Sequence, residues 1–532
     1  MFLNRERYIS RKKEKRMMSS KNAEKILVIK GITKRFPGVI ANDNINLEFR
    51  AGEVHAILGE NGAGKTTLMN ILYGLIQPDE GEIYFKGKKV VLKSPQDAIK
   101  LGIGMVHQHF MLVPTLEVWE NVVLGLKTKT FLDKEKIRKK ILEISNEYNL
   151  KIDPDAKIWQ LSTGEKQRVE IIKMLYRGAR VLILDEPTSM LTPQEVKELF
   201  VIVKRMAKRG LAVIPFITHK LEEVIQISDV VTVLRKGKVI GTVRTKDTNK
   251  GELAEMMVGR KVLFKVPRYR SKKGRIVLEV KNVSALSDKG IQILKNVSFS
   301  LRAGEILGIA GVAGNGQREL SEVITGLRKP TAGKVIILGE DVTGRDPKEI
   351  IEMGVGFIPE DRKKTGLVLD LSVAENLVLR NHFQYPFTKK PKFGFGKVLD
   401  YGEIIKFAEK LISDFQIITP NSTVPVGYLS GGNLQRVILA RELSFNPKVL
   451  IACNPTAGLD VGATEFIRRK IMEQKRKGTG ILLVSEDLNE VLSLSDRIAI
   501  IFEGKIMGTV SPKTKIEKIG QMMAGVELSR VE

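Results

Sequence analysis

Cysteine is almost missing from this chain: Cys453 is the only one in 532 residues. That excludes a disulfide framework and an all-cysteine zinc or iron–sulfur site, and it fits a reducing compartment. Aromatic residues are scarce at 6%, and no aromatic-interleaved RNA motif stands among the basic residues. No run of about 18 apolar residues occurs, so no membrane-spanning helix is expected. If the work is done at a membrane, other chains must span it. Acidic residues fall short of basic ones, 61 against 88, for a formal charge of +27. Such a balance suits nucleic acid, an anionic membrane surface or simply a lysine-rich solvated exterior.

The opening stretch MFLNRERYISRKKEKR has no apolar centre and does not read as a secretory signal. Residues 1–24 are expected to be a basic, disordered leader, with a misplaced start codon or a membrane-surface contact as alternatives. Length and a 43% hydrophobic content predict about two to four domains, each with its own core. Residues 25–259 are expected to form one, 276–532 another, with the basic stretch RKVLFKVPRYRSKKGR (260–275) as linker. Each half opens with strand-like runs, ILVIKGITKRF and RIVLEVKNVSAL. Each then shows an apolar strand, a glycine-rich turn and a helix, and later a fully apolar strand, VLILD or VLIAC. Continuous apolar runs of this kind suit buried parallel strands, so the fold class is α/β. The second copy is longer near HFQYPFTKKPKFGFGK (His382 to Lys397), which is read as a surface insertion in a helical region.

In the first half, GENGAGKTT spans Gly59 to Thr67 and fits G-x-x-x-x-G-K-[ST]. Gly59, Gly62 and Gly64, with Asn61 between, let backbone N–H groups wrap phosphates without a Cβ clash. The helix that follows adds its positive end. Lys65 would reach the β and γ phosphates, the Thr66 hydroxyl would ligate Mg²⁺, and Thr67 is a further expected ATP-binding residue. Asp185 ends an apolar strand, where it can hold Mg²⁺, and Glu186 beside it is the expected general base for the attacking water. Such a pair standing alone reads as a helix N-cap; the phosphate loop upstream favours the chemical role.

Between these motifs lies LSTGEKQ, Leu161 to Gln167. With it, the chain resembles the ATP-binding cassette family, in two tandem copies from Lys25 onward. The resemblance implies two P-loop NTPase domains, each with a mostly parallel sheet core, a helical subdomain and an antiparallel β subdomain. It implies ATP and Mg²⁺ as cofactors. It makes Gln108 the loop glutamine that senses Mg²⁺ and water, and His219 the switch histidine at the γ-phosphate. Phe36 resembles the residue that stacks on adenine, and Ser189 to Thr192 the dimer-crossing loop.

The second half departs from this pattern. Its loop keeps Gly311 and Gly316, but Gln317 stands for the lysine and Arg318 for the metal-ligating hydroxyl. Cys453 replaces the metal-holding aspartate, Asn454 the catalytic glutamate, Glu360 the loop glutamine and Glu486 the switch histidine. Asn454 cannot accept a proton at neutral pH. Arg318 can still compensate some phosphate charge, which leaves non-hydrolysed binding open. Its signature LSGGNLQ, with Ser430, Gly431, Gly432 and Gln435, is whole. Asp460 also remains at its dimer-crossing loop. The resemblance implies that this signature completes the first phosphate site in trans, whereas the converse site, on Gln317 with Ser162 and Gly164, is incomplete.

Fused cassettes with a weakened second half resemble the ATPases of simple sugar and nucleoside importers. VHQHFMLVPTLEVWENVVLG, PEDRKKTGLVLDLSVAENLVL and IACNPTAGLDVGA point to the nucleoside branch. The implied partners are two transmembrane permease subunits and, indirectly, an extracytoplasmic solute-binding protein, with the chain at the cytoplasmic face of the membrane and no nucleic acid expected. MLVPTLEVWENV and LVLDLSVAENLVL are apolar enough to dock short helices of such partners. The alternative is a soluble translation factor with two cassettes, which the charge would suit but the short connector and the single complete site do not. A cassette-type DNA-repair ATPase would need zinc-binding cysteines that are absent.

Overall fold

The computed structural model describes residues 24–107, 110–126, 132–188, 191, 193–218, 220–261, 274–389 and 397–530. The leader up to residue 23, Gln108, Ser189, Thr192, His219 and linker positions 262–273 lie outside the described residues. The chain divides into two units, Met1–Val262 and Leu263–Glu532.

The first unit is built on a six-stranded sheet in the order Lys238–Arg244, Val230–Arg235, His55–Leu58, Ala212–Thr218, Val181–Asp185, Ile103–Val106. The last five are parallel; the Lys238–Arg244 edge is antiparallel. His55–Leu58, Ile103–Val106 and Val181–Asp185 are buried along their whole length, as continuous apolar runs require when helices cover both faces. A separate antiparallel sheet orders Val39–Arg50, Lys25–Phe36, Glu80–Phe85 and Lys88–Val90. A helical part holds Val118–Val123, Lys134–Tyr148 and Thr163–Tyr176.

The second unit repeats the plan. Its six-stranded sheet runs Val355–Ile358, Val449–Cys453, Gly480–Val484, Ile306–Ala310, Arg497–Phe502, Lys505–Val510. Gln292–Arg302, Ile276–Leu286, Ala332–Ile337 and Glu340–Asp341 form the antiparallel sheet. The helices Val373–Val378, Tyr401–Asp414 and Gly431–Ser444 form the helical part. The same kind of carboxylate braces both units. Asp229 accepts from the Val54 N–H and Asp496 from the Ile306 N–H, and each pins the start of the strand that leads to a phosphate loop.

At the stretch expected to be a surface insertion, His382–Lys397, the described residues are mostly exposed, Tyr385 at 89%, with one buried anchor. Thr388–Lys389 and Val398–Leu399 pair as a short antiparallel ribbon. Phe387 is buried in the helical part, 4.9 Å from the Phe407 ring and 6.4 Å from that of Phe445. The buried Phe387 ring anchors this otherwise exposed ribbon to the helical part.

Candidate functional site

The glycine-rich loop lies at the carboxyl end of the His55–Leu58 strand, where open α/β sheets place their ligands. Gly62 and Gly64 have φ of +81° and +95°. A Cβ on Gly64 would lie 2.1 Å from the Ala41 carbonyl oxygen, and one on Gly59 would lie 2.5 Å from that of Leu234. Glycine is thus required at both for the chain to turn and to lie against its neighbours. The buried Asn42 donates from Nδ2 to the Gly64 carbonyl at 3.1 Å. Lys65 is buried, its Nζ 2.7 Å from the Gly59 carbonyl oxygen and 2.8 Å from that of Glu60. The ammonium is held inside the curve of the loop. The helix Lys65–Leu72 starts at Gly64 with no side-chain cap and no acidic residue in its first turn. Its N-terminal N–H groups and dipole therefore face an anion without a competing carboxylate. Thr66 and Thr67 occupy that first turn, Thr66 exposed and Thr67 half-buried.

Asp185 and Glu186 stand at the end of the adjoining strand. Burial pushes the Asp185 carboxyl up to about 6, the Glu186 charge adds to this, and the Lys65 ammonium opposes it. The three groups therefore feel one another directly. Glu186 has φ of +44°, a region costly for a residue with a Cβ and typical of sites where geometry is imposed. Two residues on, the buried Thr188 hydroxyl donates to Glu223 Oε2 at 2.7 Å, tying this strand end to the helix Leu221–Ile227. Glu223 was not legible as a site residue; its only sequence signal is its place after ITHK. Phe36 ends its strand with 43% of its surface exposed and Lys34 Nζ 5.7 Å from the ring centre. The structure thus gathers Gly59, Asn61, Gly62 and Gly64 in one loop and Lys65, Thr66 and Thr67 in the helix turn that follows it, with Asp185 and Glu186 beside them. Gln108 and His219 lie outside the described residues.

The donor set fits Mg²⁺. A buried carboxylate and a threonine hydroxyl flank a phosphate cradle, and Mg²⁺ is commonly held by one or two carboxylates, water and substrate phosphates. Among the described residues, no group of three or more His, Cys, Asp or Glu side chains forms a dedicated metal cage.

The second unit has the same backbone with different chemistry. Gly316 has φ of +99°, but the Gln317 amide donates to the Val312 carbonyl at 2.9 Å, and Glu319 stands in the first helical turn. Arg318, whose charge sequence alone leaves available, pairs with Glu322 at 2.7 Å and with Asp288 at 3.6 Å. Asn454 repeats the φ of +44° seen at Glu186. Its Nδ2 donates to Glu360 Oε1 at 3.2 Å, and its Oδ1 accepts from the Glu486 N–H at 2.9 Å. Burial, and then the charge of Glu360, pushes the Glu486 carboxyl up. Burial likewise raises the Cys453 thiol to about 12, so it stays protonated and inert. Asn454→Glu would remove the shared amide and set a third carboxylate beside Glu360 and Glu486. The expected result is no gain in ATP hydrolysis and a lower melting temperature, at about 2–4 °C per kcal/mol lost. Hydrolysis assays and calorimetry check both.

The two signature turns differ as sharply. At the first, Ser162 and Glu165 form a reciprocal cap: the Glu165 N–H donates to Ser162 Oγ, and Glu165 Oε2 accepts from the Ser162 N–H at 2.8 Å. Glu195 Oε1 accepts from the Gly164 N–H at 3.1 Å. Two carboxylates therefore occupy this helix start. At the second, the helix Gly431–Ser444 has no acidic residue in its first turn. Ser430 Oγ accepts from Asn433 Nδ2 at 3.0 Å, and space over Gly432 is open to 3.8 Å. Gln435 is buried, with neither amide atom hydrogen-bonded.

Fold and site together define a P-loop ATPase with two nucleotide-binding units in one chain. The family model for ABC transporters matches residues 42–189 and 294–457, and the chain belongs to the ABC transporter family. The guanosine import ATP-binding protein NupO of Bacillus subtilis (strain 168) is 49% identical to it over 505 residues, covering 94% of this chain and 98% of that protein. The glucose import ATP-binding protein TsgD13 of Haloferax volcanii is 47% identical over 94% of this chain and 96% of its own length. The nucleoside import ATP-binding protein NupA of Lactococcus lactis subsp. cremoris is 47% identical over 94% and 98%.

Proposed function

We propose that this chain is the ATP-hydrolysing subunit of an importer for nucleosides or simple sugars, working at the cytoplasmic face of the membrane. One productive site is built from Phe36, the Gly59–Thr67 loop, Asp185 and Glu186, with Gln108 and His219. The second unit's Ser430, Gly431, Gly432 and Gln435 are proposed as further ATP-binding residues. The observation that carries this reading is the placement of acidic residues. Lys65 heads a helix with no acid in its first turn, and so does the Ser430 signature. The other loop and the other signature carry Glu319 and Glu165 there. A triphosphate is favoured where helix dipole and N–H groups are unopposed and disfavoured where carboxylates already sit.

In this site Lys65 and the loop N–H groups hold the β and γ phosphates, Phe36 stacks on the base, and Glu186 takes a proton from the attacking water. Mg²⁺, held when bound by Thr66, Asp185 and Gln108, would offset phosphate charge. The partners are two transmembrane permease subunits, with a solute-binding protein beyond them. Among the described residues no helix is long and apolar enough to cross a membrane. The two segments read from sequence as docking surfaces are half core. Val118, Val122, Val373 and Leu377 are buried, while Met111, Val113 and Val368 are exposed. Asn121 and Asn376, both buried, hold these segments through paired bonds to Val113 and Val368. In the second unit a cavity of about 190 Å³ opens beside this segment, lined in part by Ile350, Ile351, Phe357 and Leu379. Purification of the tagged chain from gently solubilised native cells tests the proposal. Multi-span membrane proteins should co-purify, and the complex's ATPase should rise with a nucleoside or sugar and its binding protein. Ribosomal proteins and rRNA in their place would overturn it.

A further inference from the structure

The helix Gly431–Ser444 carries Arg441 near its C-terminal end. Only 5% of this residue is exposed. Its Nε donates to Glu442 Oε1 at 2.8 Å. Glu442 is buried too, and its Oε2 accepts from the Phe357 N–H at 2.8 Å and from Arg380 Nη1. Arg380 Nη2 donates to the Val355 carbonyl at 2.8 Å. Two guanidinium groups therefore share one buried carboxylate. Among the described residues, neither terminal nitrogen of Arg441 has a hydrogen-bond partner, yet neither is sealed off. Burial, and then the Arg380 charge, push this guanidinium down to about 9, so it stays charged at neutral pH. A buried cation with uncompensated charge and unused N–H groups is costly unless an anion meets it.

The space for an anion is there. Arg441, Arg380 and Glu442 border both a cavity of about 190 Å³ and a smaller one of about 40 Å³. The larger is walled in part by Leu327, Ile350, Ile351, Phe357 and Leu379. An apolar cavity of about 150 Å³ takes a benzene ring, so this one holds a body of that size together with a head group. In the first unit the same position of the signature helix is Lys173. Its ammonium is already engaged, donating to the Met111 carbonyl at 2.9 Å and lying 3.6 Å from Glu170. Gly125 stands there in the place of Arg380.

We propose that this cavity of the second unit binds a small organic monocarboxylate, its head group on the terminal nitrogens of Arg441 and its apolar body between Ile350, Ile351, Phe357 and Leu379. Arginine's planar fork matches a carboxylate with paired hydrogen bonds. One negative charge balances the excess of the Arg380, Glu442 and Arg441 cluster. Inorganic phosphate has no apolar part to meet the walls. Because so little of Arg441 is exposed, the ligand must carry its carboxylate inward on a compact body, as a free acid of benzoate size does.

Ligand-observed NMR titration of the full chain with benzoate tests this, with benzyl alcohol, inorganic phosphate and N-acetylglutamate amide as comparison probes. Benzoate should bind the wild-type chain, and phosphate should not displace it. Arg441→Met leaves Glu442 paired with Arg380 and should weaken benzoate by about 10- to 100-fold, the scale of a lost charged hydrogen bond. Benzyl alcohol, which lacks the charge, should bind this variant and the wild type alike. Ile351→Trp, which fills the cavity with Arg441 in place, should weaken both probes. No benzoate binding to the wild type, unchanged affinity in Arg441→Met, or equal losses of benzoate and benzyl alcohol in that variant would overturn the proposal. Displacement by phosphate would overturn the monocarboxylate as ligand. Tighter binding of N-acetylglutamate amide than of benzoate would overturn the free acid in favour of an acidic side chain of a partner protein.

Discussion

Glu186→Gln should lower ATP hydrolysis by about 10²–10⁴-fold while leaving ATP bound, because glutamine keeps the shape of the side chain but cannot take the proton of water. The backbone around it should not relax. Glu186 and Asn454 adopt the same φ of +44° with different side chains, so the strained turn belongs to the fold and not to the carboxylate. The electrostatics point the same way. Glu186 adds to the upward shift of Asp185, and Lys65 opposes it, so removing one negative charge should not loosen the cradle. Single-turnover hydrolysis and retained-nucleotide assays read the two effects separately. Full turnover in this variant would remove Glu186 as the base.

The second large effect should separate the two signatures. Ser430→Arg places a long side chain at the open helix start of Gly431–Ser444 and should cut ATPase activity by about 10²–10³-fold, the scale of losing preorganised donors at a developing charge. Ser162→Arg, in the same family position of the first unit, should cost far less. There the turn is already occupied by Glu165 and Glu195. Losing the reciprocal cap costs about 1 kcal/mol of local stability, so its main readout is a lower melting temperature. Steady-state ATPase rates for the two variants, measured side by side with melting temperatures, decide the matter. Equal losses would mean that both signatures meet a hydrolysed nucleotide.

Much of the fold was legible because its signals are local. Fully apolar strands, glycine turns and the helices after them recur in both halves, and each depends on residues a few positions apart. The loop Gly59–Thr67 could be read for the same reason: its glycines answer to φ values and close contacts that neighbouring residues impose. The insertion near His382 is exposed at most described positions, but its one buried anchor is not legible from sequence: Phe387 meets Phe407 and Phe445, residues whose positions in the chain say nothing about contact. The partners of Arg318 were not legible either: its exposed guanidinium pairs with Glu322 and Asp288, the latter 30 residues away in the chain.

The sequence by itself determined which residues could carry the chemistry, Lys65, Thr66, Asp185 and Glu186 in one half, and which residues without an ammonium or carboxylate stand in their places in the other, Gln317, Cys453 and Asn454. That follows because ammonium, hydroxyl and carboxylate groups have fixed proton and charge properties wherever they stand. Only the tertiary structure decided which groups meet. Glu195 reaches Gly164 across 31 residues, Asn454 joins Glu360 across 94, and Arg362 lies on Ala457 across 95. Hydrogen bonds and charge pairs act over a few ångströms. Which carboxylates, amides and guanidinium groups lie against these turns is therefore set by the packing that brings distant segments together.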